Sequence, residues 1–134
     1  MASILRVNTL TDASSNNSIA MSTVFNGSVK AWLRVNGTGT PAFTDNFNGS
    51  SVTDNGTGDY TVTITNNMSN ANYVSATEVG GGTTDDSAER SISGQDGSTA
   101  RSSSSYRFRH VYHGSTAVKY DDQYNNILHI GDLA

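Results

Sequence analysis

Apolar and polar residues alternate one for one along much of this chain, rather than recurring every three or four positions. In residues 60–65, Tyr60, Val62 and Ile64 fall on one side and Thr61, Thr63 and Thr65 on the other. That is the period of a strand with one buried face, built from β-branched and aromatic residues that suit a pleated surface. Just before it, Asp54-Asn55-Gly56 and Gly58-Asp59 supply the positive-φ positions that a tight reversal needs. Similar strand-like runs occupy 29–35 (VKAWLRV, with the only tryptophan, Trp32), 42–47, 70–79, 106–113, 117–120 and 124–130. Asn26-Gly27, Asn36-Gly37-Thr38-Gly39, Asn48-Gly49, Gly114-Ser115 and Asp121-Asp122 punctuate them as turns. Pro41 sits just beyond a turn, where its missing N–H does no harm. No stretch of ten or more residues has a helical period, so the pattern predicts an all-β protein.

Two segments stand apart. In residues 1–24, Ile4, Arg6 and Asn8 alternate with Leu5, Val7 and Thr9, a polar turn follows at 12–17, and a second apolar piece runs from Ile19 to Met21. Two short strands around a polar turn bury little by themselves. This predicts either a flexible leader or an extended arm that docks through Ile4, Leu5 and Val7 on another protein or on copies of itself. Residues 25–134 then form one module, interrupted at 80–105 by a Gly- and Ser-rich segment. Segments of that length are flexible insertions or ligand-contacting loops carried by a rigid scaffold.

Composition sharpens this picture. A chain of 134 residues is long enough for one domain with a real core, yet only 34% of it is hydrophobic and 15% charged. So thin an apolar supply suggests that copies of the chain complete one another's burial. A net charge of −4 gives nucleic-acid binding no electrostatic footprint. The absence of cysteine excludes a disulfide scaffold, a thiolate zinc site and cysteine catalysis. The N-terminal MASILRVNTLTD lacks the long apolar run of a signal peptide, and no segment reaches the roughly 20 apolar residues of a membrane span.

Catalytic chemistry finds little footing. His110 and His113 form an H-x-x-H, but on a strand an odd separation sends the rings to opposite faces. His129 stands alone, leaving metal binding only to symmetry mates on an oligomer axis. Asp85-Asp86 and Asp121-Asp122 are neighbours whose side chains diverge, unlike a glycosidase pair, and suit turns instead. The many serines include no G-x-S-x-G, and Gly80-Gly81-Gly82 has neither the helix nor the lysine of a phosphate loop. Neither a cofactor nor an enzymatic activity is predicted. On the strand 106–113, Tyr106, Phe108, His110 and Tyr112 share one face and Arg107, Arg109, Val111 and His113 the other. The aromatic row is core, or it stacks on sugar rings beside the arginines.

Residues 31–74, AWLRVNGTGTPAFTDNFNGSSVTDNGTGDYTVTITNNMSNANYV, resemble a short module of bacteriophage tail-fibre and related virion proteins. The resemblance lies in an ordered series: a Trp-bearing strand, an N-G-T-G-T turn, an F-N-x-S-S-V-T-D-N-G-T-G-D-Y-T turn and strand, and an N-A-N-Y strand. Residues 117–130 followed by Gly131 look like the family's closing segment. Residues 4–19, ILRVNTLTDASSNNSI, are similar to leaders on fibre-like proteins of marine phages. Arg34 and His129 depart from the usual residues of their strands.

The resemblance implies a small antiparallel β-sandwich or jelly-roll-like module with an extended N-terminal arm, assembled as a homotrimer in the host cytoplasm and carried on the virion. Its core would be Trp32, Phe47, Tyr60, Val62, Ile64 and Tyr73. The leading expectation is a fibre or fibre-tip protein that attaches to a bacterial surface glycan or protein through the 80–105 loop with Arg101, Tyr106, Arg107 and Arg109. The arm would hold it to other virion proteins. The alternative is a capsid decoration, head fibre or tail adaptor with a purely structural role. A capsule depolymerase is disfavoured, since the chain lacks the length for a β-helix and lacks a carboxylate constellation.

Overall fold

The computed structural model describes residues 4, 6–80, 90–94, 101–113 and 117–134. The readings made for Leu5, Gly81-Gly82, Asp85-Asp86, Gly114-Ser115, the side chains of Tyr112 and His113, and most of the 80–105 loop lie outside the described residues.

The alternation read from the sequence becomes antiparallel sheets. A hairpin of β1 (Thr9–Thr11) and β2 (Ser18–Ala20) leads into a short helix, α1 (Met21–Gly27). Then come β3 (Val29–Asn36), β4 (Ala42–Phe47), β5 (Gly49–Asp54), β6 (Asp59–Ile64), β7 (Val74–Gly80), β8 (Arg90–Gly94), β9 (Ser105–His113), β10 (Ala117–Lys119) and β11 (Tyr124–Ile130). One sheet has the order β4-β3-β11-β7; the other runs β10-β9-β6-β5, with β8 also paired to β9. No sheet closes on itself.

The two larger sheets share one core. Ala31, Leu33 and Val35 of β3 and Ile127 of β11 meet Tyr60, Val62 and Ile64 of β6 and Tyr106 and Phe108 of β9, with Met68 and Tyr73 alongside. The rings of Tyr60 and Phe108 lie 5.5 Å apart in a tilted pair. Strand parity decides who enters. On β3 the three aliphatic residues at odd positions turn inward, which sends Trp32 and Arg34 outward. Trp32 is 39% exposed, and Phe47, its partner in register on β4, is 52% exposed. This corrects the expectation that both belong to the core of a single chain. The strand is apolar on both sides at Trp32, so alternation alone did not choose its face.

Local differences have local causes. The turn expected at Asn26-Gly27 is the end of α1, whose seven residues are too short to leave a helical period and bury no residue fully. Residues 70–73 precede β7 rather than extend it: Asn72 N donates to Asn70 Oδ1 (2.7 Å), a side-chain turn that swings Tyr73 into the core. Part of the low-complexity segment is strand β8, which pairs with β9 from Arg90↔Tyr112 to Gly94↔Phe108.

The glycine-rich turn before β6 is a joint between strands. Gly58 has φ +59, and a Cβ there would lie 2.6–2.7 Å from backbone atoms of Tyr120 and His110. Only glycine fits that conformation and that space. Next to it, His110 N donates to Gly58 O (2.9 Å) while His110 O accepts from Tyr120 N (3.2 Å). One edge of β9 thus passes from β6 to β10 at His110.

Candidate functional site

The outer face of the four-stranded sheet carries the most unusual surface. The register places Phe47 opposite Trp32, Trp32 opposite Leu128, and Leu128 opposite Ala76. One apolar row therefore crosses all four strands. Leu128 is 40% exposed, and Val74, on the same side of β7, is 64% exposed. Beside it runs a polar row of Asp45, Arg34, Asn126 and Glu78, also in register. Asn126 Nδ2 donates to Glu78 Oε2 (3.2 Å), and the Arg34 guanidinium lies 4.7 Å from the Tyr124 ring centroid. A shallow groove of about 380 Å³ follows the boundary between the rows. A contiguous exposed apolar strip rimmed by polar residues is the signature of an interaction surface.

The outer face of the five-stranded sheet is different in kind. The polar side of β6 lies here: Thr61 opposite Thr53 and Arg107, and Thr63 opposite Ser51 and Ser105. Asp59 is buried under three cations. Arg107 grips it with Nε (2.7 Å) and Nη2 (3.1 Å), and Arg109 Nε and Lys119 Nζ each reach Oδ2 at 3.1 Å. Burial pushes the Asp59 carboxyl up, but hydrogen bonds from Arg107, then Lys119 and Arg109, outweigh it and hold the carboxyl at about 2. Among the described residues three cations face this one carboxylate, a locally positive arrangement on an acidic chain.

The four residues expected to meet a receptor do not gather in one place. Alternation along β9 turns Arg107 and Arg109 outward and Tyr106 inward, where it is buried. This corrects the reading of Tyr106 as a sugar-stacking ring. Arg101 joins the tyrosines instead: Nη1 donates to Tyr73 O (2.7 Å), and its guanidinium lies 5.0 Å from the Tyr73 ring and 5.2 Å from the Tyr106 ring. Beneath them His129 sits edge-on to both rings, at 4.9 and 5.3 Å, and shares a hydrogen bond with Ser75 Oγ (2.9 Å). Burial, followed by the charge of Arg101, drives its imidazole down to about 4. Of the arm residues, Ile4 and Val7 are exposed.

A third cluster ties the two sheets together. The Tyr60 hydroxyl donates between Asp121 Oδ1 and Gly37 O, and Asp121 Oδ1 also accepts from Gly58 N (2.7 Å). Burial first, then the bond to Asp121, raises the Tyr60 hydroxyl well above its usual value. Gly37 N donates to Asp122 O (2.8 Å), and a Cβ on Gly37 would strike the Tyr60 hydroxyl. The N-G-T-G, T-D-N-G-T-G-D-Y and D-D pieces of the sequence thus meet at one point.

Sequence reasoning missed the exposed row, since only strand register aligns Phe47, Trp32 and Leu128. It missed the role of Asp59 because an aspartate beside glycines reads as turn chemistry. His110 and His129 are buried away from solvent. Among the described residues, no group of three His, Asp or Glu side chains is placed to hold a metal ion, and no helix is long and apolar enough to cross a membrane. No family model, curated protein or solved structure matches this chain.

Proposed function

We propose that this chain is a structural module of a bacteriophage virion: a small β-sandwich that assembles as a homotrimeric fibre or fibre tip and meets the bacterial surface. The observation that carries the reading is the Phe47–Trp32–Leu128 row. A soluble single chain gains nothing by leaving an indole and a phenyl ring side by side on an open sheet face, whereas copies of the chain would bury them. Aromatic residues of this kind are enriched at the energetic centre of interfaces, where truncation costs on the order of 2 kcal/mol or more. The thin apolar composition and the resemblance of residues 31–74 to fibre modules support the same assignment. The opposite, hydroxyl- and arginine-bearing sheet face is left to solvent and to the host.

The test is the solution mass by light scattering coupled to size exclusion. Wild-type protein is expected at three chains and Trp32→Asp at one, both with the same β-sheet circular dichroism. A wild-type monomer would sink the trimeric reading. Antibody labelling of particles at the head rather than the tail would replace the fibre tip by a capsid decoration.

A further inference from the structure

A three-fold ring is closed by a heterologous contact, so an apolar row lying away from the axis meets a different surface on the next copy. This inference rests on the trimeric reading and asks what that second surface is. Another folded part of the chain is left open to solvent by the described residues. Every described residue from 4 to 20 is exposed. The hairpin there is nonetheless specified in detail: Leu10 pairs with Ile19, Asp12 Oδ1 accepts from Asn16 N (2.9 Å), and Asp12 Oδ2 accepts from Asn17 Nδ2 (2.7 Å). Met21 N donates to Asn8 O (2.9 Å), closing the hairpin onto α1. An isolated two-stranded hairpin is marginal in water, so one built this carefully needs a partner for its apolar pair.

The root of the arm is fixed. Lys30, at the start of β3 and on the same side of that strand as Trp32, is buried. Its ammonium donates to Phe25 O and to Ser28 Oγ (2.6 Å), and lies 4.5 Å from the Phe25 ring centroid. This clamps the end of α1 against the first residues of the sheet, and the hairpin beyond it lies exposed, off its own sheet. We propose that the β1–β2 hairpin of one copy lies across the Phe47–Trp32–Leu128 row of the next, laying Leu10 and Ile19 on it, so that three arms close the ring.

The chain offers two clean probes: it has no cysteine and one tryptophan, and that tryptophan is in the row. The full-length double variant Leu10→Cys, Leu128→Cys should give a covalent trimer under mild oxidation, resolved on a non-reducing gel. A monomer bridged internally would mean that the arm folds back on its own sheet, overturning the proposal. Leu10→Asp with Ile19→Asp should cut the solution mass to one third and shift Trp32 emission to the red. If those charges leave a trimer that Trp32→Asp dissociates, the arm assignment fails and the trimer stands. If wild type is already a monomer, both fall. A Trp32→Asp protein that stays trimeric but no longer binds bacteria would place a glycan on the row and overturn the arm assignment.

Discussion

Two buried ionisable side chains give this protein two separate responses to acid. His129 is held neutral, with its imidazole lowered from 6.5 to about 4 by burial and then by Arg101. Between those values the unfolded chain binds a proton that the folded chain refuses, so stability falls as pH drops from 6.5 to 4, by on the order of 3 kcal/mol. Asp59 is lowered from 3.8 to about 2, so its contribution is present above 4 and is lost as pH falls toward 2. Its partners Arg109 and Lys119 are well exposed, so solvent screening holds that contribution to about 1–2 kcal/mol. Urea midpoints at pH 7, 5.5 and 4 should decline more steeply for wild type than for His129→Phe. A variant that keeps the slope would place the titrating group elsewhere. Neither role was legible in the sequence. His129 alternates with Ile127 on the inner side of β11, but only the tertiary fold brings Tyr73 and Tyr106 around it. Asp59 alternates with Thr61, yet its cations come from strands about 50 and 60 residues later.

Strands with β-branched or aromatic alternation declared themselves, and those without did not. β4, β6, β9, β10 and β11 lie where the alternation predicts them, within a residue or two. β5 (GSSVTD) and β8 (RSISG) carry one aliphatic residue each among serines and glycines, and take their conformation from the strands beside them. The joint at Gly58 belongs to this scale, because it hands one edge of β9 from β6 to β10. Gly58→Ala forces both a left-handed backbone and a clash with the peptide atoms of Tyr120 and His110. It should cost about 2–4 kcal/mol and lower Tm by roughly 10 °C. Gly39→Ala provides the control: its φ is +70 but nothing stands within 4 Å of the added Cβ, so it should cost only about 1 kcal/mol. Equal losses in the two variants, read by calorimetry, would show that backbone conformation alone governs the joint.

The two outer sheet faces differ: one is crossed by an apolar row with a polar row beside it, and the other bears hydroxyls and cations. If the second meets the host, Arg109→Glu with Lys119→Glu should leave the solution mass unchanged and reduce binding to whole bacteria at least tenfold. Undiminished binding would remove this face from host recognition. A division of labour between faces is invisible to a reading of individual strands, since it depends on which strands become neighbours.

The position of β11 has a consequence for how the protein is made. Residues 124–130 lie between β3 and β7, pairing with both, and Asn125 reaches the carbonyl of Val35 ninety residues earlier. Until the ribosome has released that strand, β3 and β7 have no common neighbour, and the inner aliphatic side chains of β3 have only half of their enclosure. Contacts this distant in sequence also form slowly. At 5–20 residues per second, translation holds the nascent chain for several seconds with β3 made and β11 missing. The fold therefore cannot close until β11 has emerged, and in that interval chaperones have an open strand edge to occupy.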